Sequence, residues 1–165
     1  MLILDSNLWI HALTVGGGYP DECIERFRNE RELSAVSAYI FSEVAQNIDS
    51  DTTIESETRD DAIQRFSALL YNCRAIRSCP QAEIRDMDLE AERAESYNKA
   101  IGDLAKIQPK DVPIFTLAYQ TKDQQPTVCT DDESFAEFSP SEYGLDEISI
   151  EHVSVSWDRV EQPAE

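Results

Sequence analysis

The sequence predicts an α/β domain on a mainly parallel sheet, and three observations carry that prediction. Leu2-Ile3-Leu4 and Pro126-Thr127-Val128-Cys129-Thr130 are short, largely apolar runs without alternation, as in strands covered on both faces. Stretches with helical spacing separate the extended segments, which is the pattern of repeated strand–helix units. Acidic residues follow both runs directly, Asp5 after the first and Asp131-Asp132 after the second, where parallel sheets bind their ligands.

From the N-terminus, Leu2-Ile3-Leu4 forms the first strand, and Asp5-Ser6-Asn7 offers caps for a helix beginning at Leu8-Trp9-Ile10. Gly16-Gly17-Gly18-Tyr19-Pro20 interrupts the pattern as a loop, and Asp21 caps a short helix with Ile24 and Phe27 on one face. Residues 33–36 form the second strand. Over 37–48 the spacing of Ile40, Val44 and Ile48 predicts a helix that carries Glu43 beside Tyr39 on a neighbouring stripe. Asp49-Ser50-Asp51-Thr52-Thr53 reads as an acidic linker. From Thr58, the residues Ile63, Phe66, Leu70, Cys73 and Arg77 recur at helical intervals, with Leu69 and Ile76 widening the stripe, until Ser78-Cys79-Pro80 stops it.

A short extended segment is expected around Ile84, then a helix from Asp88 to Pro109 with Leu89, Arg93, Tyr97, Ile101 and Leu104 on its stripe. Asp111 caps the next helix, and Pro113 falls in its first turn, where a missing N–H costs little. Residues 126–130 form a buried strand and 148–155 a last extended segment. A single domain over residues 1–158 and a disordered tail over 159–165 complete the expected organisation.

The composition narrows the function. Among 165 residues, 33 are acidic and 14 basic, giving a net charge of -19, and the only lysines are Lys99, Lys106, Lys110 and Lys122. Such a surface repels itself and any polyanion in dilute buffer, but salt near 1 M shortens the screening length to about 3 Å. A carboxylate-rich, lysine-poor surface therefore suits a very salty cytosol, such as that of a halophilic archaeon; the alternative is an acidic protein that binds a basic partner. The four cysteines show no CxxC spacing and His11 and His152 have no ligand-spaced companion, which argues against a zinc site. No stretch approaches a membrane span and Met1-Leu2-Ile3-Leu4 is too short for a leader, so a cytoplasmic protein is expected.

Four carboxylates then stand out: Asp5, Glu43, Asp111 and Asp132. Each has an ordinary explanation. Asp5 and Asp111 could be helix caps, Glu43 a solvated helix face and Asp132 part of an acidic turn. If the fold instead gathers them, the cluster is one that a hard cation such as Mg²⁺ would neutralise.

The residues around these acids carry a resemblance. Leu2-Ile3-Leu4-Asp5-Ser6-Asn7-Leu8-Trp9-Ile10 resembles the opening strand and Asp-[Ser/Thr]-Asn step of the PIN-domain family, metal-dependent ribonucleases that include the VapC toxins. The stretch from Ser37 to Glu43 is similar to that family's Ser…Glu helix, Asp111-Val112-Pro113-Ile114-Phe115 to its Asp-led helix, and Thr130-Asp131-Asp132-Glu133-Ser134-Phe135 to its Thr-x-Asp-x-x-Phe step. Pro113 departs from the family's usual helix former.

The resemblance implies a three-layer α/β/α sandwich and a ribonuclease in which Asp5, Glu43, Asp111 and Asp132 are the catalytic, metal-binding carboxylates for Mg²⁺ or Mn²⁺. Asn7 and Thr130 would be supporting polar groups, and the adjacent Asp131 leaves the register open by one. It further implies an RNA substrate, a basic antitoxin partner and a homodimer. Lys106 and Lys110, flanking the turn into Asp111, are the best-placed cations for RNA phosphates. Arg26, Arg28 and Arg31 read instead as a solvated helix face beside Asp21, Glu25 and Glu30. The alternative function is a protein of the same fold with little catalysis, acting as a binding partner. A phosphotransferase using Asp5 as nucleophile is set aside, because its pattern needs an Asp where Asn7 stands.

Overall fold

The computed structural model describes residues 1–158. The apolar runs become strands of one all-parallel sheet: β1 (Leu2–Leu4), β2 (Ser34–Ala35), β3 (Ile76–Arg77), β4 (Thr127–Thr130) and β5 (Ser149–His152), in the order β3-β2-β1-β4-β5. Ile3, Leu4, Val128 and Cys129 are fully buried, as central strands covered on both faces require. The chain moves outward from β1 through β2 to β3, then returns to place β4 on the other side of β1. The point where strand order reverses therefore lies between β1 and β4, and crevices at such points are where parallel sheets bind ligands.

Nine α-helices, counted among the described residues, complete a three-layer α/β/α sandwich. They are α1 (Ser6–Thr14), α2 (Gly18–Arg28), α3 (Ala38–Ser50), α4 (Ser56–Asn72), α5 (Gln81–Asp86), α6 (Leu89–Ala94), α7 (Ser96–Ala105), α8 (Val112–Gln120) and α9 (Glu133–Ala136). Trp9 on α1 packs between Phe27 of α2 and Phe66 of α4, with ring centroids 6.1 and 5.1 Å away, and Phe41 of α3 stacks on Phe66 at 5.3 Å. Ser37 caps α3 by accepting a hydrogen bond from the Ile40 N–H, which fixes where the helix carrying Glu43 begins. No helix among the described residues is long and apolar enough to cross a membrane.

Three expectations are corrected. The stripe from Ile63 to Arg77 is not one helix: α4 ends at Asn72, Cys73 turns extended, and Ile76 and Arg77 pair with β2. Strand pairing outweighs a periodicity that the sequence continues by coincidence. Ile84 lies in α5 rather than in an extended segment, because Pro80 begins a helix there. The helix expected from Asp88 to Pro109 breaks at Glu95, whose backbone is extended in ψ, and the Asn98 side chain donates to the Glu92 carbonyl at the break. Tyr97 and Leu104 are consequently exposed rather than part of a buried stripe. Smaller shifts are that α2 begins at Gly18, with Asp21 accepting from the Gly17 N–H, and that β5 is confined to residues 149–152 of the expected 148–155. The expected tail over 159–165 lies outside the described residues.

Candidate functional site

The pairing of β1 with β4 dictates the centre of the site. Leu2, Ile3 and Leu4 stand opposite Thr127, Val128 and Cys129, and the Asp5 N–H donates to the Cys129 carbonyl at 2.9 Å. The residues after the two strands therefore meet. Thr130 Oγ1 donates a 2.7 Å hydrogen bond to Asp5 Oδ2, and also accepts from the Asp132 N–H at 3.0 Å. Asn7, in the first turn of α1, donates to Asp131 Oδ1 at 3.0 Å.

Asp5 is buried at the N-terminal boundary of α1, yet its side chain makes no capping hydrogen bond. Asp111 holds the equivalent position before α8 and likewise caps nothing; its Oδ2 is buried without a hydrogen-bond partner among the described residues. An ordinary cap would point its oxygen at the free N–H groups of the first turn. Neither does so here: Asp5 accepts from Thr130 instead, and both carboxylates feel the charge of neighbouring acids. Burial, reinforced by the charges of Glu43 and Asp131, pushes the Asp5 carboxyl up to about 6 despite the opposing Thr130 hydrogen bond. Burial likewise pushes Asp111 up to about 7, with Asp5, Asp132 and Glu43 adding repulsion and Lys110 opposing it.

Glu43 is buried as well, so it is no solvated helix face. Ser6 donates to its Oε2 at 2.5 Å, and Arg93 of α6 pairs with its Oε1 at 2.6 Å. The Arg93 Nε donates to the Tyr39 hydroxyl at 2.8 Å, and that hydroxyl donates to the Lys110 carbonyl at 2.8 Å. Asp132 does serve as a cap: its Oδ1 accepts from the Ser134 and Phe135 N–H groups at the start of α9, while its Oδ2 lies 3.7 Å from Lys110 Nζ.

Asp5, Glu43, Asp111 and Asp132 thus act on one another at one end of the sheet, with Asn7, Thr130 and Asp131 around them. Among the described residues, Glu43 and Asp132 are paired with cations, whereas Asp5 and Asp111 are not. As the side chains stand, no group of three or more His, Cys, Asp or Glu residues among the described residues is arranged to hold a metal ion. The donor chemistry nevertheless suits a hard cation, since Asp111 offers an unpartnered buried oxygen beside a second desolvated carboxylate. Full four-carboxylate ligation would require Glu43 and Asp132 to exchange their present partners.

The expected phosphate-binding lysines divide. Lys110 is half-buried at the cluster, whereas Lys106 is the exposed, left-handed cap of α7 and no contact among the described residues ties it to the acids. Arg28 pairs with Glu25 on α2, in keeping with a solvated helix face. Sequence reasoning missed Arg93 and Ser6 as partners of Glu43. Arg93 had a signal, a guanidinium on an otherwise apolar helical stripe; Ser6 was read only as a possible cap.

No protein-family model and no curated protein matches this chain.

Proposed function

We propose that the chain is a divalent-cation-dependent ribonuclease of the PIN-domain type, hydrolysing RNA phosphodiester bonds at the crevice between β1 and β4. The observation that carries this reading is Asp5 and Asp111. Both are buried at helix boundaries, neither caps its helix, and both are held at raised pKa by burial and by neighbouring acids. A fold gains nothing in stability from such an arrangement, so it points to a task that needs desolvated carboxylates.

Asp5 and Asp111 would hold Mg²⁺ or Mn²⁺, joined by Glu43 and Asp132 on exchange of their partners. When bound, the cation supplies a water acidified toward neutral pH and a counter-charge for the phosphate. Thr130 fixes the rotamer of Asp5 through its hydrogen bond, and Asn7 does the same for Asp131. Lys110 provides positive charge beside Asp132 for an approaching phosphate. The acidic surface suits the basic antitoxin partner that the resemblance implies.

The second reading, a binding protein of this fold with little catalysis, draws on the neutralisation of Glu43 by Arg93. One assay separates the two. Single-stranded RNA incubated with the protein and Mn²⁺ in molar KCl is expected to be cleaved, and EDTA to abolish the cleavage. Intact RNA under these conditions, with binding retained, would favour the second reading.

A further inference from the structure

The pairing of Arg93 with Glu43 bears on how the site is loaded, an inference that rests on the divalent-cation reading above. Arg93 comes from α6, a helix of six residues bounded by the Asp88 cap and the break at Glu95. Its side chain is 34% exposed, while that of Glu43 is only 10% exposed, so the guanidinium reaches inward from the surface to a buried acid. It makes a 2.6 Å ion pair with Glu43 Oε1, donates through Nε to Tyr39 at 2.8 Å, and lies over the Tyr39 ring at 5.7 Å. Tyr39 passes the linkage on, because its hydroxyl donates to the carbonyl of Lys110, the residue before Asp111.

A divalent cation on Glu43 Oε1 would stand against this guanidinium at contact distance, and two positive groups sharing one carboxylate oxygen repel strongly in a poorly solvated site. We propose that Arg93 is an internal counter-ion that competes with the divalent cation for Glu43, so that loading the site and releasing α6 from it are a single exchange. The arginine then keeps the cation-free cluster tolerable at neutral pH and weakens the apparent affinity for metal. Movement of Arg93 would be felt at Asp111 through Tyr39, which ties the exchange to the unpaired half of the cluster.

The test is a calorimetric titration of the full chain with Mn²⁺ in molar KCl, comparing wild type with Arg93→Met and Asp111→Asn, alongside hydrogen exchange of the α6 amides. Arg93→Met keeps the aliphatic stem and removes the charge; it is expected to bind Mn²⁺ at least about tenfold tighter than wild type. In wild type, Mn²⁺ is expected to speed exchange at residues 89–94, whereas a site merely ordered by its ion would slow it. Unchanged or weaker affinity in Arg93→Met would overturn the proposal, the weaker result making Arg93 a support for the site. If Arg93→Met does not fold, slower or unchanged exchange in α6 of wild type overturns it and faster exchange upholds it. If wild type binds no Mn²⁺, or Asp111→Asn binds as well as wild type, the metal reading itself fails and this inference falls with it.

Discussion

Thr130 Oγ1 donates a 2.7 Å hydrogen bond to Asp5 Oδ2 across the β4–β1 pair, joining two residues 125 positions apart at the end of the sheet. The bond exists because strand register leaves Thr130 opposite Asp5, and it is the strongest influence holding the Asp5 carboxyl down against its burial. Thr130→Val removes the donor at constant shape. It is expected to raise the Asp5 pKa further and to lower stability by about 1–2 kcal/mol. Carboxyl-carbon NMR titration and urea unfolding read the two effects; an unmoved Asp5 titration would contradict the assigned role.

The raised carboxyls set a pH dependence whose sign is opposite to that of ordinary paired carboxylates. Asp5 and Asp111 take up protons near pH 6 and 7 when folded but near the ordinary value of 3.8 when unfolded. Between pH 4 and 7 the folded chain therefore holds more protons than the unfolded chain, and stability falls as pH rises through that window. Above about pH 7 both groups are charged and the full penalty is present. Unfolding measured in EDTA and molar KCl should show higher stability at pH 5.5 than at pH 8. A profile that rises over this range would contradict the burial and mutual repulsion assigned to the pair.

Asp111→Asn keeps the shape of the side chain and removes its charge. The cation-free variant is expected to be more stable than wild type at pH 8 by about 1–3 kcal/mol, with the difference shrinking toward pH 5. Added Mn²⁺ should raise the Tm of wild type and leave that of the variant nearly unchanged. A variant less stable than wild type at pH 8 would make Asp111 a structural residue.

The net charge of -19 leads to a separate expectation. Ion pairs such as Arg28–Glu25 and Arg65–Asp61 are exposed and neutralise little of the excess. Raising KCl from 0.1 to 2 M should screen the remaining repulsion and raise Tm by several degrees, read by circular dichroism. A Tm independent of salt would remove the case for adaptation to high salt.

How much of this was legible beforehand differs by element. The central strands were, because an unbroken apolar run at Leu2-Ile3-Leu4 or near Val128 has few alternatives, and so was α3, from the helical spacing of Ile40, Val44 and Ile48. β3 was not, since Ile76 and Arg77 continue a helical period by accident and only pairing with β2 makes them a strand. The break at Glu95 was hidden for a similar reason: a stripe of Leu89, Arg93, Tyr97, Ile101 and Leu104 predicts burial that Tyr97 and Leu104 do not have. At the site, the placement of Asp5 and Asp132 just after strands suggested a cleft, and the family resemblance added Glu43 and Asp111. Sequence could not say which acids are free and which are paired, because Arg93 and Glu43 are 50 residues apart and meet only through tertiary packing.

The central claim is that Asp5 and Asp111 mark a site for RNA hydrolysis, and its most direct test is the Mn²⁺-dependent RNA cleavage rate of Asp111→Asn against wild type. The comparison belongs in molar KCl at pH 8, with both proteins shown to be folded. The expected result is measurable cleavage by wild type and a loss of at least about 100-fold in the variant. Equal rates for the two folded proteins, or no cleavage by wild type, would contradict it.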